Sequence, residues 1–170
     1  MNLRFVLVPF ALLAASVTQA QPDPLLSAPM QPLSPSKRGV VFQSKLAREF
    51  ARQCSRSSPS GWWTSVSPSQ NEIKRLESAL PGWMKTHQVK PWSGRFNDYF
   101  YQYGALARGK TRLIYINAVP ARSEELGEPK FRQAWRRVPA MVCDGGPDFW
   151  GVEFNPATNA FQNASFNGMA

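Results

Sequence analysis

Histidine and cysteine are scarce in this chain, which has one histidine, His87, and two cysteines among its 170 residues. A single histidine makes the usual Ser-His-Asp and Cys-His catalytic sets difficult to assemble. The sequence also lacks a G-x-S-x-G motif, an H-E-x-x-H motif, a phosphate-binding Gly-rich loop and a Cys/His cluster with metal-ligand spacing. We therefore expect no catalytic residues, no bound metal and no cofactor.

Long apolar runs are absent beyond the N-terminus. The first twenty residues combine Arg4, an apolar run over 5–17 and small residues up to Ala20. This layout is typical of a secretory signal peptide cleaved after Ala20, and the run is short for a membrane span. The sequence therefore predicts a periplasmic or secreted protein that is not transmembrane after cleavage, with an uncleaved N-terminal anchor as the alternative.

The chain after residue 20 divides by composition into two parts. Residues 21–38 contain five prolines, which favour an extended linker over a helix or a central strand. Residues 39–170 have a length typical of a single domain, and the chain is 43% hydrophobic with six tryptophans and eleven phenylalanines. We expect one domain with a packed core.

The two cysteines, Cys54 and Cys143, both fall in the part predicted to be exported. Export places them in an oxidising compartment, where an even pair of cysteines is most often a structural disulfide. The alternative is a free nucleophilic cysteine paired with His87. We predict the disulfide.

Hydrophobic periodicity predicts an α+β fold. Apolar residues recur every four positions over 40–56, which indicates an amphipathic helix, and Ser69 with Glu72 has the capping-box spacing of a second helix. Alternating patterns over 99–117 indicate a hairpin, and three further strands are predicted in 138–143, 149–155 and 160–168. We expect one or two N-terminal helices packed on an antiparallel meander of about five strands, the element order of cystatins.

A basic surface is the clearest candidate for binding. The formal net charge is +9, and basic side chains beside aromatic rings suit polyanions, because Arg pairs with phosphates and carboxylates while rings stack. The alternative is a solvated helix face. The candidate residues are Lys45, Arg48, Arg52, Arg56, Arg132, Arg136 and Arg137.

Aromatic residues form a second candidate contact surface. Tyr99, Tyr101 and Tyr103 share one face of a predicted strand, so that they form either a flat platform for a partner or ordinary core. Trp62 and Trp63 lie in a segment rich in Gly, Ser and Pro, where burial is harder to achieve. The tryptophans are therefore the better candidates for an exposed contact.

A weak acidic loop is the remaining candidate. Asp144 and Asp148 flank two glycines and a proline in the stretch CDGGPDF. Two carboxylates four positions apart suit Ca²⁺ or acid/base chemistry, but the spacing is not that of an EF-hand and Asp before Gly is common in turns. A turn is the favoured interpretation.

The C-terminal region is unusual in a basic chain, because residues 142–168 contain no Lys or Arg. Its pattern CDGG…FWGVEFN…FNG, together with DYFYQYGALARGKTRLIYINA, resembles a type of uncharacterised exported protein of Gram-negative bacteria over residues 91–168. The resemblance implies a periplasmic or secreted location, and it carries no established activity or catalytic residues that could be assigned to this chain.

These patterns together predict an exported, small, non-enzymatic binding protein. An inhibitor-like or immunity-like protein that contacts a protein or a cell-envelope component is the first hypothesis. A binder of an anionic glycan or lipid through the Arg-rich helix face is the alternative, and a small hydrolase built on Asp144, Asp148 and Glu153 is the third. Export argues against nucleic acid as the partner.

Overall fold

The computed structural model of the chain describes residues 27–54, 56–57, 59–61, 63–87, 95–121 and 134–168. The residues of the predicted signal peptide lie outside these ranges. The regular elements, in chain order, are β1 (Gly39–Phe42), α1 (Ser44–Phe50), β2 (Thr64–Val66), α2 (Gln70–Thr86), β3 (Tyr99–Arg108), β4 (Thr111–Pro120), β5 (Trp150–Asn155) and β6 (Ala160–Phe166).

The strands form one mixed six-stranded sheet with the order β1-β3-β4-β5-β6, and β2 pairs with the same strand β3. The predicted α+β class is confirmed, but the prediction of a purely antiparallel meander of five strands is wrong. Strand β1 runs parallel to β3, with Val41 opposite Tyr103, while β2 runs antiparallel to β3 further along, with Thr64 opposite Ala107. The other neighbouring strands pair antiparallel.

Helix α1 is much shorter than the predicted helix over 40–56, because its first residues belong to β1. Val40, Val41 and Phe42 are buried on alternating faces of the sheet, and β-branched side chains with burial on both faces suit a strand. The helix ends at Phe50, so that Arg52, Cys54 and Arg56 follow it.

Helix α2 begins where its sequence predicts. The Ser69 side chain accepts from the backbone N–H of Glu72, and the Glu72 carboxylate accepts from the backbone N–H of Ser69. Burial alone raises the pKa of Glu72, but hydrogen bonds from Ser69 and Arg112 outweigh it and hold this pKa below the usual value. The helix continues through Pro81 to Thr86, since the turn beyond the proline packs Met84 against the core.

The two helices cover opposite faces of the sheet, and each face has its own hydrophobic core. Helix α2 packs Ile73, Leu76 and Leu80 on the face that carries the three tyrosines of β3. Helix α1 packs Ala47 on the other face, together with Ala51, the residue that follows the helix. Burial on both faces explains why the central strands are apolar almost throughout.

The segment 138–143, predicted as a strand, has no strand structure. It crosses the α1 face of the sheet and is held there by two side chains of the sheet. Gln102 donates to the carbonyl of Val138 and accepts from the N–H of Ala140, and Asn117 donates to the carbonyl of Ala140. Pro139 has no N–H to donate to a ladder. Polar side chains on the sheet replace the predicted strand pairing.

The end of the Pro-rich segment also contacts the domain. Leu33 forms an isolated bridge with Val40, and Ser36 donates its N–H and its hydroxyl to the buried Glu77 carboxylate at 2.8 and 2.6 Å. Further upstream, the Gln31 N–H donates to the carbonyl of Arg136. Residues 31–36 therefore pack on the domain.

Candidate functional site

The predicted disulfide between Cys54 and Cys143 is confirmed, with Cα atoms 5.3 Å apart. Both residues are exposed, because Cys54 lies beyond the end of α1 rather than on its buried face. The bond joins the chain that follows α1 to the segment before β5, two regions 89 positions apart in sequence. It fixes both segments over the α1 face of the sheet.

Arg56, two residues after Cys54, lies in a network of neutral side chains. Its Nε donates to Asn167 Oδ1 at 2.5 Å, and its Nη1 donates to Asn117 Oδ1 at 2.8 Å and to the Tyr115 hydroxyl at 3.2 Å. Burial lowers the pKa of the Arg56 guanidinium, and the Tyr115 hydroxyl opposes this shift. Arg56 is therefore a partly buried structural donor, whereas the sequence predicts it on the exposed basic surface.

Two amide side chains on the sheet complete the network. Gln102 and Asn117 are directly opposite each other on β3 and β4, and Asn117 Nδ2 donates to Gln102 Oε1 at 3.0 Å. Gln102 Nε2 also donates to the carbonyl of Trp135 at 2.8 Å, and Asn117 Nδ2 donates to that of Ala140 at 2.9 Å. The amides thus satisfy the backbone of the segment before Cys143.

The C-terminal pattern CDGG…FWGVEFN…FNG surrounds Arg56. Asn167 accepts from Arg56, and its amide donates to the carbonyl of Val142. A Cβ on Gly151 would lie 2.2 Å from the Tyr115 hydroxyl and 2.9 Å from Arg56 Nη1, so that only glycine leaves room for the guanidinium there. Asn167 and Gly151 therefore have a structural role, in which they hold Arg56 and the segment at Val142 in place.

A second cluster lies on the surface beside α1 and consists of Arg48, Arg52, Trp63 and Arg108. We call it the arginine–tryptophan surface. The Arg108 guanidinium lies over the Trp63 ring at 4.7 Å from its centroid, and Trp63 lines one shallow depression together with Arg48 and Arg52. The three arginines are exposed and Trp63 is half-buried.

Strand pairing brings these residues together. The β2–β3 register places Thr64 opposite Ala107, which sets Trp63 beside Arg108 at the end of the strands. Trp63 Nε1 donates to the carbonyl of Ser60 at 2.8 Å, which orients the ring. Gly61 has φ +88°, and a Cβ there would lie 2.6 Å from Arg108 Nη1, so that the turn needs glycine.

The arginine–tryptophan surface carries a concentrated positive charge. Among the described residues, none of its three guanidiniums forms an ion pair with a carboxylate, whereas Lys45 on the same helix pairs with Glu49 at 3.5 Å. Isolated exposed cations suit an external anion, because they keep their hydrogen-bond donors available. The site can therefore bind anionic groups.

Other candidates lie elsewhere. Tyr99, Tyr101 and Tyr103 are almost fully buried under α2, and Tyr103 donates to Glu77, so that they are core residues and not an exposed platform. Burial raises the pKa of Tyr103 well above its usual value, which keeps this phenol neutral.

The remaining basic candidates divide by location. Arg136 and Arg137 are partly buried, and Arg137 Nη1 donates to the carbonyl of Ala28 at 2.6 Å, so that this pair lies beneath the N-terminal segment. Arg132 and Trp62 lie outside the described residues.

The acidic candidates do not converge on a metal site in the described part of the chain. Asp144 and Asp148 are exposed in the turn before β5, whereas Glu153 is buried and accepts from the Gln162 and Asn163 amides at 3.2 and 2.9 Å. Across the described ranges, no group of three or more His, Cys, Asp or Glu side chains is placed to hold a metal ion.

No helix in the described ranges has the length and apolar character needed to cross a bilayer.

Comparison of the chain with protein-family models, with curated proteins and with solved structures finds no match.

Sequence reasoning missed two parts of these clusters. Arg108 is not among the basic residues predicted for a binding surface, because the β2–β3 register that places it on Trp63 joins segments more than forty positions apart. Gln102 and Asn117 left a readable signal, since each is a single amide inside an otherwise apolar strand. A polar residue at such a position has to be hydrogen-bonded.

Proposed function

We propose that this chain is an exported, non-enzymatic binding protein that holds an anionic partner on its arginine–tryptophan surface. The observation that carries the proposal is the grouping of three exposed guanidiniums around one half-buried indole, with no carboxylate paired to them in the described part of the chain. Arg presents a planar fork of donors that matches phosphate, sulfate and carboxylate groups. The disulfide and the sequence features of export favour a partner in the cell envelope.

Two further observations support binding over catalysis. The buried Gln102 and Asn117 and the partly buried Arg56 are engaged with one another and with backbone carbonyls, which is a structural use of their hydrogen bonds. The tyrosines considered as a protein-binding platform lie in the core. An anionic partner is therefore better supported than an inhibitor-like contact through an aromatic strand.

Retention on heparin-agarose tests the proposal, with heparin serving as a generic sulfated polyanion. The surface variant is Arg48→Gln/Arg52→Gln/Arg108→Gln. The matched control, Lys74→Gln/Arg75→Gln/Lys85→Gln, removes the same charge from exposed residues of α2 on the opposite face of the sheet. Urea unfolding of each variant checks that the fold is intact.

We expect the surface variant to elute at much lower salt than the wild type, and the control variant to elute close to the wild type. The affinity of electrostatic binding falls steeply as the salt concentration rises. The loss of three cationic contacts lowers this affinity and makes it less dependent on salt. Equal loss in both variants would mean that net charge alone causes retention. Unchanged retention of the surface variant would also refute the proposal.

A further inference from the structure

We infer that the anionic partner of the arginine–tryptophan surface is the headgroup layer of an anionic phospholipid membrane, an inference that rests on the proposed function. The first reason is shape. The depression lined by Arg48, Arg52 and Trp63 has a volume of about 30 Å³, which is roughly the share of one water molecule in the liquid. It cannot enclose a sugar ring, so that the surface suits a flat array of charged groups better than a single inserted ligand.

The second reason is the chemistry of the exposed groups. Arg guanidiniums bind phosphates bidentately. Trp is enriched where a membrane meets water, because its ring is apolar and its N–H is polar. Here Trp63 is half-buried and contacts Arg108 through its ring, so that indole and guanidinium occur together at one exposed point.

The third reason is the orientation of α1. The helix places Ala47 against the sheet, while Lys45 and Arg48 are exposed. Its apolar side is used by the protein core, so that the outward side offers charge rather than buried apolar area to a bilayer. Binding is then mainly electrostatic, reversible and sensitive to salt.

The expected effect follows from the number of cations. Each Lys or Arg close to an anionic bilayer strengthens binding about fivefold at low salt. Removal of Arg48, Arg52 and Arg108 should therefore weaken binding about a hundredfold. The same charge removed from α2 should weaken it only severalfold, because those residues lie on the opposite face.

The test is co-sedimentation of the protein with vesicles, with the Cys54–Cys143 disulfide intact. One vesicle type contains phosphatidylglycerol and phosphatidylcholine in equal parts, and the other contains phosphatidylcholine alone. The wild type, the surface variant and the α2 control variant are each measured at low and at physiological salt. Retention on heparin-agarose is recorded for the same preparations.

The inference predicts that the wild type sediments with anionic vesicles only, that the surface variant loses about a hundredfold in affinity and that the control variant loses only severalfold. Equal weakening of both variants would overturn both the inference and the proposed function. Failure to bind anionic vesicles, with heparin retention still dependent on the surface, would overturn the lipid inference alone. Equal sedimentation with neutral vesicles would overturn it as well.

Discussion

Replacement of Arg56 by methionine tests most clearly whether Arg56 stabilises the fold, in contrast to the exposed arginines. The change removes the three hydrogen bonds that the Arg56 guanidinium donates to Asn167, Asn117 and the Tyr115 hydroxyl. Hydrogen bonds to a charged group contribute roughly 1.5 kcal/mol or more each. Methionine also relieves the cost of burying a guanidinium, which offsets part of the loss. We expect a net decrease of about 3 kcal/mol in the free energy of unfolding.

Urea unfolding, followed by tryptophan fluorescence with the disulfide intact, measures this decrease. With a slope of about 2 kcal/mol per M urea, the midpoint should fall by about 1.5 M. Arg52→Met is the matched control, because Arg52 is exposed and should change the stability by no more than about 0.5 kcal/mol. Heparin retention should respond in the opposite way, with a loss in Arg52→Met and none in folded Arg56→Met.

An Arg56→Met protein that is as stable as the wild type, or more stable, would refute this reasoning. Such a result would mean that the cost of burying the guanidinium outweighs its three hydrogen bonds. Arg56→Lys gives a second measure. It should also be destabilising, because a single ammonium group lacks the fork that reaches both Asn117 and Asn167.

Three further changes test other parts of the fold. Glu72→Ala should destabilise the protein by about 1 kcal/mol at neutral pH, as measured by urea unfolding. Because the pKa of Glu72 is lowered in the folded state, this difference from the wild type should shrink as the pH falls through that pKa. A difference that stays constant with pH would contradict the capping role. Gly151→Ala should cost about 2 kcal/mol or more in thermal unfolding, since its Cβ meets the Tyr115 hydroxyl; a change below about 0.5 kcal/mol would contradict the close packing. Cys54→Ala/Cys143→Ala should lower the free energy of unfolding by about 4 kcal/mol, and an unchanged urea midpoint would count against a stabilising disulfide.

The parts of the fold that the sequence predicts well depend on local signals. The capping box at Ser69 and the alternation in β3 and β4 are visible within a few residues, and they correctly predicted helix α2 and the central hairpin. The disulfide followed from the redox compartment and an even number of cysteines.

The errors come from pairings between distant segments. Val40 to Phe42 fits a helical spacing when read with Leu46, and only the parallel pairing of β1 with β3 makes these residues a strand. Segment 138–143 has the composition of a strand, yet the side chains of Gln102 and Asn117 on the sheet bind its backbone, so that it does not pair with a neighbouring strand. No local pattern reveals such contacts.

The candidate surface was predictable in part. Arg48 and Arg52 are exposed, as a basic face near α1 requires, whereas Arg56, which the sequence assigns to the same face, is partly buried beyond the end of the helix. Arg108 joins the surface only through the pairing of β2 with β3. Charge spacing along a helix indicates a face only as far as the helix extends.

The central claim is that the arginine–tryptophan surface is where an anionic partner binds, and NMR titration of the folded protein tests it most directly. Side-chain Nε–H signals of Arg48, Arg52 and Arg108 and the indole N–H of Trp63 are followed as a short heparin oligosaccharide or anionic bicelles are added. We predict that these signals shift first and together, while the signals of the Arg75 side chain on α2 and of the partly buried, hydrogen-bonded Arg56 stay in place. Shifts centred on α2, or small shifts spread over all exposed cations, would contradict the claim.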